Sequence, residues 1–166
     1  MINSTVTATA IQSRPAADRA LLRAGLETTR AAFHEVVSSV SDERWLQKSP
    51  GSAWTVGEVF VHLTWALEYL PKEVALARRG KGMFNMPKRL ADPASYWLIR
   101  WISRNQTRES IRRRYDLAVA AALDALEAVP DGDWLLGADF YAEGFHTVAD
   151  LFRVPARHLA EHTAGL

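Results

Sequence analysis

Apolar residues recur at helical spacing in four stretches of this chain, and almost nothing alternates in the manner of a strand. The first stretch runs from about Ala16 to Val40. Leu22, Leu26, Thr29, Phe33, Val36 and Val40 share one side, with Arg19, Arg23, Glu27 and Arg30 elsewhere. Ser41-Asp42-Glu43 breaks or re-caps it, and Pro50-Gly51 marks a turn. The second stretch starts after Trp54. Thr55 is placed to cap it, and Glu58 has the spacing that completes a capping box. Val56, Val59, Phe60, Leu63, Leu67 and Leu70 form its apolar face. Pro71 predicts a kink or a local end, and Gly80-Lys81-Gly82 the final stop.

The third stretch, about Thr107 to Val129, places Ile111, Tyr115, Ala118, Val119, Ala122, Leu126 and Val129 in one stripe, and Pro130-Asp131-Gly132 stops it. Asp133–Gly144 reads as irregular, with a short extended piece. The fourth helix begins after His146-Thr147, with Asp150 in its first turn and Val148, Leu151, Phe152, Pro155 and Leu159 on its apolar arc. Four amphipathic helices bury their stripes against each other, so the expectation is an all-α four-helix bundle. The long link between helices two and three allows an order in which one connection crosses the bundle. That link is itself apolar: Met83, Phe84, Met86, Tyr96, Trp97, Leu98, Ile99, Trp101 and Ile102 are interrupted by Pro87 and Pro93. Asp92-Pro93 predicts a short extra helix over Pro93–Ser103. A connection this apolar must cover something: a pocket, a partner subunit or a bilayer surface.

At 166 residues and 48% hydrophobic content, one domain with a full core is expected, spanning residues 15–166 after a flexible N-terminal segment, residues 1–14. The chain has no Cys, which excludes disulfides, thiolate nucleophiles, zinc fingers and iron–sulfur clusters. A metal would need His, Asp or Glu ligands, and thiol chemistry would need an external thiol. No apolar run reaches the length of about 18 residues needed to span a membrane. Met1–Ser13 is polar and lacks the apolar region of a secretory signal, so a cytoplasmic location is expected. The net charge of +1 conceals an asymmetry. Arg78 to Arg114 holds eleven Lys or Arg against two acids, a balance of +9, and the rest of the chain carries −8. Such a block suits nucleic acid, anionic lipid or a small anionic ligand, or is simply a solvated surface. No nucleic-acid motif accompanies it, so a nucleic-acid partner is not expected.

Five histidines offer chemistry. His158 and His162 lie one helical turn apart, inside or at the edge of the apolar arc of helix four. His62 lies mid-helix two, about 40° beyond that helix's apolar arc. Three such residues, if brought together, would leave a coordination position for water or substrate. The same spacing also arises by chance, and a core-edge His that bonds a carbonyl is common; spacing alone leaves both readings open. Glu58 either caps its helix or orients His62 from the preceding turn. Trp65, Tyr69, Trp97 and Trp101 are core residues or the walls of a site for an apolar substrate. Arg108 and Arg112 are a solvated face or a clamp for a carboxylate. His34 and His146 carry no expected role. No phosphate loop, G-x-S-x-G elbow or dinucleotide fingerprint is present.

Ser41-Asp42-Glu43-Arg44-Trp45 followed by Ser52-Ala53-Trp54-Thr55-Val56-Gly57-Glu58-Val59-Phe60-Val61-His62-Leu63 resembles the DinB-like superfamily, in which a Trp-Ser/Thr-x-x-Glu element opens helix two. Thr147-Val148-Ala149-Asp150-Leu151 and His158-Leu159-Ala160-Glu161-His162 resemble the last helix of the same family. The resemblance covers about Ala16 to His162, with the Met83–Ser103 insertion least family-like. It implies that His62, His158 and His162 bind a divalent metal, often zinc or nickel. It also implies a bundle in up-down-down-up order and frequently a homodimer. The family includes transferases and isomerases that use mycothiol, bacillithiol or glutathione, so the resemblance implies a thiol-dependent S-transferase or a hydrolase acting on a small electrophile. The alternative is a non-catalytic dimeric metal-binding or stress-response protein of the same fold.

Overall fold

The computed structural model describes residues 18–83, 88–140 and 144–166. The expected N-terminal segment, residues 1–14, and part of the apolar connection (Phe84, Met86 and Pro87) lie outside the described residues. Helix α1 (Arg19–Ser39) starts at Asp18, whose carboxylate accepts from the amides of Ala20 and Leu21. Ser41 re-caps the chain into a single turn, α2 (Asp42–Trp45). Helix α3 (Val56–Ala77) opens on the expected capping box between Thr55 and Glu58. It runs unbroken through Pro71, where a kink or end was expected. Leu67, Leu70 and Val74 are buried on both sides of the proline, and their packing offsets the lost backbone bond.

Helix α4 (Lys88–Ser103) is longer than expected. Pro93 lies inside it rather than at its first position, so Asp92 is not its cap. Helix α5 (Arg108–Glu127) is capped by Thr107. Helix four is two pieces, α6 (Val148–Leu151) and α7 (Val154–Thr163), divided at Phe152-Arg153 just before Pro155. The extended piece is a hairpin, which corrects a purely all-α reading: β1 (Gly137–Phe140) pairs antiparallel with β2 (Gly144–Thr147), Gly137 opposite Thr147 and Phe140 opposite Gly144. A Cβ at Gly137 would collide with the His146 carbonyl across this pair.

The core is one cluster built mainly from the apolar faces of α1, α3, α5 and α6, joined by Ile99 of α4, Phe140 of β1 and Leu159 of α7. Its centre is aromatic. Phe33 stacks on Tyr115 at 3.6 Å between ring centroids and meets Phe60 edge-on at 5.5 Å. Trp45 stacks on Phe60 at 5.3 Å. Trp45 reaches that position because residue 57 is glycine: a Cβ there would lie 2.7 Å from Trp45 Cε2. The ends that meet are specific. Arg19 at the start of α1 donates to the Val129 carbonyl at 2.7 Å, beyond the end of α5. Arg78, following α3, pairs with Asp133, following α5, at 2.6 Å. Gly165, after α7, lies near Pro50, before α3.

Candidate metal centre

Helices α3 and α7 bring together His62, His158 and His162. The local reasons are visible in sequence. The capping box fixes where α3 starts, and His62 follows almost two turns later, beside the apolar face rather than on it. On the other side, Thr147 and Asp150 form a second capping box that starts α6. Helix α7 then starts with Pro155 in its first turn and carries His158 and His162 one turn apart. Ring centroids lie 4.9 Å apart for His62–His158, 5.0 Å for His62–His162 and 4.7 Å for His158–His162. The three candidate ligand nitrogens all lie within 4.8 Å of one another. His62 Nε2 and His158 Nε2 are 3.0 Å apart.

That separation suits a shared cation. Two metal–nitrogen bonds of about 2.0–2.1 Å at a tetrahedral angle place their nitrogens about 3.3 Å apart. The electrostatics agree, because ligand imidazoles must be neutral. Burial pushes His62 down to about 3, with like-charge repulsion from His158 and His162 adding to it. Burial takes His158 down to about 4, helped by His162 and Arg157. His162 is lowered by burial as well, against an opposing pull from Glu161. A three-histidine group of this kind could bind a metal ion, and among the described residues it is the one group of His, Cys, Asp or Glu that could.

The surroundings separate the expected site residues. The Trp54 ring packs on His62 at 4.6 Å between centroids. The loop that presents it is tied down: Ser49 N–H donates to the Trp54 carbonyl at 3.0 Å, and Val56 N–H to the Gln47 carbonyl at 2.9 Å. Sequence reasoning gave Trp54 no role; its place directly before the cap Thr55 was the available signal. Trp65 and Tyr69 follow His62 on the same side of α3, half-buried, with ring centroids 4.7 Å apart. Trp97 and Trp101 sit on the outer face of α4, each 66% exposed, and make no hydrogen bond or ring contact with the three histidines.

Glu58 acts as the cap. Its carboxylate accepts from Thr55 N–H at 2.8 Å and faces Arg100 at 3.5 Å. It does not orient His62, whose buried Nδ1 has no hydrogen-bond partner. Arg108 has partners within the fold. Its guanidinium donates to the carbonyls of Val37 (3.0 Å), Val40 (2.5 Å) and Ser41 (2.7 Å), and lies over the Trp45 ring at 4.3 Å. A helix end leaves carbonyls without partners, and Arg108 satisfies those of Val37 and Val40 at the end of α1. Arg112 likewise turns toward α1 and donates to Ser38 Oγ at 2.5 Å. Of the two histidines without an expected role, His34 bridges α1 to Asp116 on α5 at 2.8 Å, and His146 Nδ1 lies 3.1 Å from the Gly144 carbonyl.

The sequence profile of the DinB superfamily matches residues 25–165. The chain belongs to the DinB superfamily. Among solved structures, this DinB protein is similar to the mycothiol-dependent maleylpyruvate isomerase (TM-score 0.68, 15% identity) and to a point mutant of that enzyme (TM-score 0.67, 15% identity). Each likeness covers 89% of this chain but 60% of the isomerase, so the DinB chain spans well under two thirds of that enzyme's length. At this identity the likeness shows a common fold. No protein of curated function matches the sequence. No helix among the described residues is long and apolar enough to cross a membrane.

Proposed function

We propose that this DinB protein is a divalent-metal-dependent enzyme that joins an external low-molecular-weight thiol to a small electrophile, an S-transferase, with hydrolysis as the related reaction. The observation that carries this reading is the convergence of three half-buried imidazoles, contributed by two separate helices and each lowered in pKa by burial. Three protein ligands leave a tetrahedral ion one open position, the pattern of catalytic rather than structural sites. The donor set fits zinc or nickel, both of which suit imidazole. Held there, such an ion would lower the pKa of a ligated thiol or water and supply a nucleophile near neutral pH. The chain has no Cys, so the thiol must come from outside. The similar isomerase is itself mycothiol-dependent.

The residues of this chain have separate parts in that reading. His62, His158 and His162 hold the ion. Trp54 shields one side of His62 from water. Glu58 sets the register of α3 and thereby the height of His62. Trp65 and Tyr69 supply an aromatic wall for an apolar substrate. The up-down-down-up order belongs to the same proposal, supported by the helix ends that meet: α1 with the end of α5, α3 ending beside α5, and α7 finishing near the start of α3. A homodimer is the assembly expected from the family.

Untagged protein analysed by elemental mass spectrometry should carry near-stoichiometric zinc or nickel. His158→Ala should lose the ion and turnover together, assayed with a generic electrophile and a panel of mycothiol, bacillithiol and glutathione. Turnover that survives complete loss of metal would overturn the reading. Sedimentation equilibrium tests the dimer.

A further inference from the structure

Helix α4 is apolar on two opposite sides. One side packs on α3 through fully buried Ile99, with half-buried Tyr96 and Ile102 beside it. The other side carries Ala94, Trp97, Leu98 and Trp101, all exposed, and the two tryptophans lie one turn apart with 66% of each accessible. Scattered exposed apolar residues are ordinary, but a continuous stripe with two tryptophans marks a contact surface. Arg100 and Arg104 are exposed along the same helix and its end. They belong to the Arg78–Arg114 segment, whose balance is +9 while the remainder of the chain holds −8.

We propose that this outer face of α4 docks on an anionic bilayer surface. Tryptophan settles at the boundary between headgroups and acyl chains, because its ring is apolar and its N–H is polar. Exposed Arg104 at the end of α4, within a segment of sequence balance +9, complements anionic headgroups. A second copy of the chain fits this face poorly. A two-fold contact sets the same positively charged patch against itself, like charge toward like charge. Duplex nucleic acid would match the charge but offers no apolar layer for the tryptophan stripe. With 16 residues, α4 lies on a bilayer rather than crossing it. The Arg100–Glu58 pair joins α4 to the first turn of the helix that carries His62, so docking would place the histidine end of α3 near the membrane. The proposal concerns a different surface from the metal centre and does not depend on it.

The test is co-sedimentation of the full chain with vesicles of phosphatidylcholine, with and without phosphatidylglycerol, read alongside tryptophan emission. Binding should require phosphatidylglycerol, weaken with salt and shift the emission to the blue. Trp97→Ser with Trp101→Ser should reduce vesicle affinity at least tenfold with an unchanged circular dichroism spectrum. Arg104→Glu, which leaves the apolar stripe intact, should reduce it severalfold and serves if the double variant does not fold. The proposal is overturned by failure to bind anionic vesicles, or by equal affinity in the wild type and every folded variant. It is also overturned by a stripe that supports duplex DNA binding, or a dimer, in place of vesicle binding.

Discussion

Helix α3 serves two seams that obey different rules. Toward α1 and α5 it presents Phe60 to the buried Phe33–Tyr115 stack, a seam of packed aromatic rings. Toward α7 it presents His62 to His158 and His162, and there a buried ring nitrogen, His62 Nδ1, has no hydrogen-bond partner. One helix thus carries a face that holds the fold together and, a fraction of a turn away, a face that burdens it. Burying unpaired polar groups costs stability, and folds keep such groups where function needs them. The lesson is that the apolar seam supplies the stability that the histidine seam consumes.

Four substitution and titration experiments probe that contrast, in descending order of expected effect. Phe33→Ala removes the ring at the centre of the apolar seam and should cost about 3–5 kcal/mol in urea unfolding, while leaving the metal stoichiometry of the folded fraction unchanged. If the cost were the same as that of removing a histidine, the two seams would not differ.

The second experiment is acid titration of the metal-stripped protein. His62 sits at about 3 and His158 at about 4 in the folded state, below the ordinary value of 6.5. Above the ordinary value both states hold neutral imidazoles, and stability is flat. As pH falls below it, the unfolded chain gains protons that the folded chain refuses, so stability is lost down to the folded values. Each of the two groups contributes a slope of at most about 1.4 kcal/mol per pH unit in that window. His62→Ala should flatten the slope measured by urea midpoint; an unchanged slope would place the titration elsewhere.

Gly57→Ala should destabilise by about 1–3 kcal/mol through the collision with Trp45, reduced by the roughly 1 kcal/mol that alanine gains over glycine inside a helix. A stabilised variant would show that Trp45 can move freely. Thr55→Ala, which breaks the capping box, is expected to cost about 0.5–2 kcal/mol. It should weaken zinc affinity, measured by competition with a chelator, because the register of His62 depends on that cap.

Much of the fold was legible in the residues. Periodicity located the long helices, and Thr55, Thr107 and Thr147 marked three of their starts, because capping is a local interaction between neighbours in sequence. Local rules failed where packing overrode them. Pro71 and Pro93 were read as boundaries and lie inside helices; at Pro71, burial of the surrounding apolar residues outweighs the local cost. The hairpin was legible only as an extended piece, because its pairing joins residues across a turn. Arg108 looked like a solvated or substrate-facing cation, and nothing local indicated that the carbonyls at the end of α1 would reach it.

By itself, then, the sequence determined which stretches are helical, where three of them begin, the absence of any thiol, and the one-turn spacing of His158 and His162. Each of those follows from bonds or neighbours along the chain. Only the tertiary structure decided that His62 meets that pair, that Trp54 covers it, and that Arg108 is a structural brace. Those outcomes depend on how helices far apart in sequence pack together, and the pairing of apolar faces that sets it belongs to the whole molecule.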